Sequence, residues 1–256
     1  LPVERVFSHV SVQWRSCVLG LGALWASPSI DARVKPQHQR ALLQWYLAHS
    51  AGCPLDVRLG LSQETWNTGE GPQLLADVLM QEPRLRSLSI RADFPGADGA
   101  LRVALRQIRA PLLEHLSFIL LEQHDSDPDD IITRTDFRPT VFKHGVPRLS
   151  VLRLQHLENA LFPPLNSVTT LHLEEYHCPP MSTTRLKALL HRLPALVNLS
   201  LYGDMVAHES WPELYLPGLR SLRSASNAQI GRLLSALNAP ALDSLVLKDV
   251  RAHELD

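Results

Sequence analysis

The sequence predicts an α/β solenoid in which short parallel strands stack with helices between them. Three observations point there. The chain has 256 residues and 48 leucines, close to a fifth of the total, with 19 prolines against 12 glycines. A bias of this kind commonly comes from a repeat. An eight-residue pattern, P-x-L-x-x-L-x-L, recurs seven times, and between copies apolar residues fall at helical spacing.

The first copy is Pro83-Arg-Leu85-Arg-Ser-Leu88-Ser-Ile90. Pro111-Leu-Leu113-Glu-His-Leu116-Ser-Phe118 and Pro147-Arg-Leu149-Ser-Val-Leu152-Arg-Leu154 follow. Val168-Thr-Thr-Leu171-His-Leu173 keeps the leucines and lacks the proline. The last three begin at Pro194, Pro217 and Pro240, the sixth with Ser224 in its final leucine slot. Counted from the proline slot, the steps are 28, 36, 19, 28, 23 and 23 residues. L-x-L is an alternation of period two, so a short strand puts both leucines on one face. Proline lacks an N–H and suits the loop before a strand, not the ladder. One unit cannot bury its own apolar face, but stacked units can.

The connecting segments carry helical faces. Residues 72–82 align Leu74, Leu75, Val78 and Leu79; 99–110 align Leu101, Ala104, Leu105 and Ile108. Residues 182–193 align Leu186, Leu189, Leu190 and Leu193. Ser226-Asn-Ala-Gln229 reads as a capping box opening a helix with Ile230, Leu233, Leu234 and Leu237. Residues 157–164 and 204–216 are not helical by pattern, and the longest irregular stretch is 121–146.

This pattern resembles leucine-rich repeat proteins over roughly residues 83–250. The resemblance implies a parallel sheet on a concave face, and the departures imply irregular repeats. The family's asparagine slot holds Asp93, Tyr176, Asp204 and Val250, and only Asn227 fits. Residues flanking the buried leucines point the other way. Concave faces of such stacks bind partners, and Arg and Tyr are frequent interface anchors. Arg91, Arg153, Tyr202 and Arg223, with His172 and Glu174 between them, are therefore the candidate partner-binding residues.

Upstream, Val6, Val10, Trp14 and Cys17 fall on one helical face, and Trp14-Arg15 is followed by Leu24-Trp25. This resembles the second half of an F-box, the helical motif that docks on the Skp-type adaptor of cullin-type ubiquitin ligases. In fungal F-box proteins that half leads into a helix, a strand and irregular leucine-rich repeats. Here 37–50, with Leu42, Leu43, Trp45, Tyr46 and Leu47, would be the helix, and 54–61 the strand. The resemblance implies adaptor contact through Val10, Trp14, Leu24 and Trp25, the last three clustered against the first repeat. The first F-box helix is missing unless Leu1-Pro2 is its start, and the chain opens on Leu1, so it is expected to be a fragment or processed product that binds adaptor weakly or not at all. An alternative is that Trp14 and Trp25 only cap the end of the stack. The expected division is a partial F-box-like segment and linker helix at 1–52 and a leucine-rich repeat domain at 53–256.

Other classes are argued against. With 25 basic and 26 acidic side chains, the net charge is -1, which gives no electrostatic case for nucleic acid or an anionic membrane. No apolar run approaches the roughly 20 residues of a membrane-spanning helix. Cys17, Cys53 and Cys178 form no CxxC pair, and reduced thiols fit an intracellular chain of cytoplasm or nucleus. His172, His177 and Cys178 lack a fourth ligand. Asp125-Ser-Asp127-Pro-Asp129-Asp130 lacks the glycine and glutamate of a calcium loop. No metal, no cofactor and no catalytic residue is expected. The expectation is a non-enzymatic interaction module, the substrate receptor of a ubiquitin ligase, with a repeat scaffold or regulator lacking that role as the alternative.

Overall fold

A computed structural model describes residues 10–120, 137–155, 161–174, 181–203, 206, 210–226 and 230–249. Among these the chain is α/β. The helices are α1 (Val12–Gly20), α2 (Pro36–His49), α3 (Gln63–Asn67), α4 (Glu70–Leu79), α5 (Ala97–Leu105), α6 (Thr183–His191) and α7 (Ile230–Ala236). The strands are β1 (Ser29–Ile30), β2 (Leu55–Ser62), β3 (Leu85–Asp93), β4 (His115–Leu120), β5 (Val151–Gln155), β6 (Thr170–Glu174), β7 (Asn198–Tyr202), β8 (Leu214–Tyr215), β9 (Ser221–Ala225), β10 (Leu237–Asn238) and β11 (Ser244–Lys248).

Nine strands form one parallel sheet in chain order, β1 to β7, then β9 and β11; β8 and β10 pair separately. The register aligns the repeat. Leu88, Leu116, Leu152, Leu171, Leu199, Leu222 and Leu245 stand opposite one another from β3 to β11. Six are buried, at most 2% exposed, and together with Val57, Leu59, Ile90, Phe118 and Leu173 they line one core. Leu245 departs from the expected row at 46% exposed, because β11 has β9 on one side and no strand on the other among the described residues.

Each copy starts with the same turn. Leu85, Leu113, Leu149, Val168, Leu196, Leu219 and Leu242 each donate their backbone N–H to the carbonyl three residues back. That carbonyl belongs to the residue before the proline slot, so proline takes the second position of a β-turn, where its fixed φ is already correct. The next residue then joins neighbouring turns. The carbonyl of Glu114 accepts from Ser150 and Val151, that of Ser150 from Thr169 and Thr170, that of Thr169 from Val197 and Asn198, and so on to Arg220, at 2.8–3.1 Å. This main-chain ladder links neighbouring repeats directly. Of the asparagine-slot residues, Asp93 is exposed, and Tyr176, Asp204, Asn227 and Val250 lie outside the described residues.

The helices fill the core side. Leu74, Leu75 and Val78 of α4 are buried, as are Leu101 and Leu105 of α5. Leu186, Leu189 and Leu190 of α6 are buried under a Ser182 N-cap. α5 ends at Leu105, so Ile108 is half-buried beyond it. Ile230 and Leu233 of α7 are buried. Ser226, expected to cap that helix, has φ 53°, outside the extended region an N-cap uses. Its expected partner Gln229 lies outside the described residues, as do Val6, His177, Cys178 and the 125–130 acidic loop.

The N-terminal segment differs from the expected cluster. α1 buries only Val18. Trp25 is 1% exposed, donates from Nε1 to the Val18 carbonyl at 2.8 Å, and meets Tyr46 edge-on at 5.7 Å. Trp14 and Leu24 do not join it; they are 53% and 36% exposed. Tyr46 of α2 packs with Val18, near the C-terminal end of α1, in the same small cluster as Trp25. Ala26, Ile30 and Leu43 belong to the large sheet core, and β1 extends the sheet beyond β2.

Candidate functional site: the polar sheet face

Strand alternation gives the sheet a second face, opposite the leucines. The middle register row of that face reads Arg58, Ser89, Ser117, Arg153, His172, Ser200, Arg223 and Val246. Two residues further along each strand, a second row includes Arg91, Gln155, Glu174, Tyr202 and Lys248. The six expected partner-binding residues therefore share one face: Arg153, His172 and Arg223 in the first row, Arg91, Glu174 and Tyr202 in the second.

Their electrostatics are ordered. Arg153 donates to Glu174 at 2.7 Å across neighbouring strands. His172 stands between Arg153 and Ser200. Burial holds the His172 imidazole below its ordinary pKa of 6.5; Arg153 and Arg223 push the same way, and Glu174 opposes them. This histidine is thus biased toward its neutral form, with one donor and one acceptor nitrogen. Tyr202 is half-buried, while Arg91, Arg153 and Arg223 are exposed. Asn198 Nδ2 donates to Thr170 Oγ1 at 3.0 Å, which ties β6 to β7 on the same side.

One charged pair, joined by two contacts, braces the start of the face. Arg86 Nε donates to Asp56 Oδ1 at 2.9 Å, and a second contact joins Arg86 Nη2 to Asp56 Oδ2. A cavity of about 530 Å³ lies beside this pair, with Ser27, Arg58, Glu114 and His115 in its walls. Arg58 is a face residue that the repeat pattern misses. Pro54-Leu55-Asp56-Val57-Arg58-Leu59 has one residue fewer between its leucine positions than the later copies, and the register shifts between Leu55 and Asp56. The alternation from Val57 to Leu61 was the signal that could have found it.

Of the expected adaptor contacts, Val10, Trp14 and Leu24 are exposed, at 60%, 53% and 36%. Trp25 is corrected: its ring is buried and its N–H is bonded internally, so it holds the segment together from inside. Among the described residues no group of three metal-ligating side chains exists, and no helix is long and apolar enough to cross a membrane. No family model matches the chain, and no curated protein or solved structure matches it either.

Proposed function

We propose that this chain is a non-enzymatic leucine-rich repeat module that serves as the substrate receptor of a cullin-type ubiquitin ligase. The observation that carries the reading is the register. Seven copies of one leucine pattern stand opposite one another in a parallel sheet in chain order, and their outward positions bring six polar candidates onto one face. A protein substrate binds that face, and a ligase bound elsewhere acts on it by proximity. No residue of this chain is acid, base or nucleophile in that scheme. Val10, Trp14 and Leu24 of the N-terminal segment are exposed, so an adaptor could reach them.

Two measurements test the two halves. The combined Arg153→Ala, Tyr202→Ala and Arg223→Ala variant stays folded and loses its protein partner; unchanged binding places the partner surface elsewhere. Purified Skp-type adaptor binds residues 1–256 weakly, and Trp14→Ala with Leu24→Ala removes that binding. Partner binding with no adaptor binding by the full-length protein favours the scaffold reading instead.

A further inference from the structure

At the β1 end of the polar face lies a second cavity, of about 330 Å³. One wall is the segment 29–33, which leaves β1 and folds back over β2. Gly60 makes that possible. A Cβ at Gly60 would lie 2.8 Å from the Ala32 backbone nitrogen and 3.3 Å from the Ile30 carbonyl oxygen, so a larger residue pushes the wall off the sheet. Arg58 and Arg91 line the space from neighbouring strands. Arg58 is opposite Ser89 and Arg91 is opposite Gly60, so the two stand on one face, two residues out of step.

Both arginines are exposed, and among the described residues neither guanidinium has a hydrogen-bond or ion-pair partner. Arg86 and Arg153 on the same face are each held by a carboxylate. Arg58 and Arg91 thus offer unengaged guanidiniums, whose planar donors match a carboxylate in two-pronged geometry. The serines at 29, 62 and 89 add hydroxyl donors to the lining. The cavity charge selects the ligand. Arg33, Arg58 and Arg91 stand against Asp31 and Asp93, with Asp31 already 3.8 Å from Arg33. The surplus is one positive charge. A carboxylate neutralises it, whereas a phosphate dianion overshoots it and faces Asp93.

We propose that this cavity binds an aspartate or glutamate side chain of an extended acidic peptide segment. The proposal rests on the polar face being the partner surface, and it gives that surface a chemical determinant. The test is fluorescence anisotropy of residues 1–256 with labelled, amidated peptides alternating serine with glutamate, glutamine or phosphoserine. The glutamate peptide binds about tenfold tighter than the glutamine peptide, as expected for one charge-assisted contact. Arg58→Gln and Arg91→Gln each erase most of that difference without shifting the thermal midpoint, and Arg232→Gln, on α7, leaves it unchanged. Gly60→Val loses the same selectivity with both arginines present. Equal binding of glutamate and glutamine peptides, or selectivity that survives both arginine variants, overturns the proposal. So does a phosphoserine peptide that binds tenfold tighter through the same arginines. If the selectivity holds while the Arg153, Tyr202 and Arg223 variant keeps its partner, the partner reading fails and this site stands.

Discussion

Ser224 occupies a leucine position. It pairs in register with Leu201 on β7 and Leu247 on β11, is 2% exposed, and its Oγ has no hydrogen-bond partner among the described residues. A buried unsatisfied hydroxyl costs about 1–3 kcal/mol. Ser224→Ala should therefore raise the free energy of unfolding by about 1 kcal/mol, measured by urea titration. His172 makes a different kind of prediction. Its folded pKa lies below the ordinary 6.5, so the unfolded chain binds more protons between the two values. Stability then rises with pH through that window and is lost as pH falls through it. His172→Gln should flatten this part of the stability profile. Arg153→Ala removes a repelling cation and also frees Glu174, so the His172 titration followed by NMR should move to higher pH. An unchanged titration would show that burial alone sets it.

At the scale of the element, the β-turn before each strand explains the proline excess. Six of the seven copies place proline at the second turn position, and the seventh places Asn166 there. Asn166 is exposed and its backbone N–H makes no main-chain bond among the described residues. Asn166→Pro should stabilise by about 0.4–1 kcal/mol through the unfolded chain, which is about 1–4 °C in midpoint; a lower midpoint would mean that the Leu165 backbone cannot precede a proline. The strands and the core faces of α4 and α6 were legible because leucine spacing sets them directly. The β1 strand was not: two residues carry no period, and Ser29 and Ile30 are strand only because β2 offers an edge. The face of α1 was misread because periodicity gives an apolar stripe but not the element that covers it. Val18 is buried by Tyr46, and Val10 and Trp14, on the stripe, are not. The polar face was legible wherever the copies align, and it stopped at Arg58, where one residue is missing from the pattern.

Across the whole molecule, strand order follows chain order, so each strand depends on its two neighbours and the ends differ from the middle. Leu199 lies between filled strands at 2% exposure, and Leu199→Ala should cost about 2–5 kcal/mol. Leu245 stands in the same register column at 46% exposure, and Leu245→Ala should cost under about 1 kcal/mol. Equal losses in urea titration would show that β11 is covered in solution. The main-chain ladder between turns has a consequence for how such a sequence can change. Its acceptor slot holds Glu114, Ser150, Thr169, Val197 and Arg220, residues of unlike charge and size. The carbonyl makes the main-chain bond whatever the side chain, although at Ser150 and Thr169 the hydroxyl adds a second bond to the preceding slot's carbonyl. Substitution at Glu114, Val197 or Arg220 therefore leaves the ladder's bonds in place. A change of charge or size there is expected to alter the surface while the spacing between neighbouring strands stays the same.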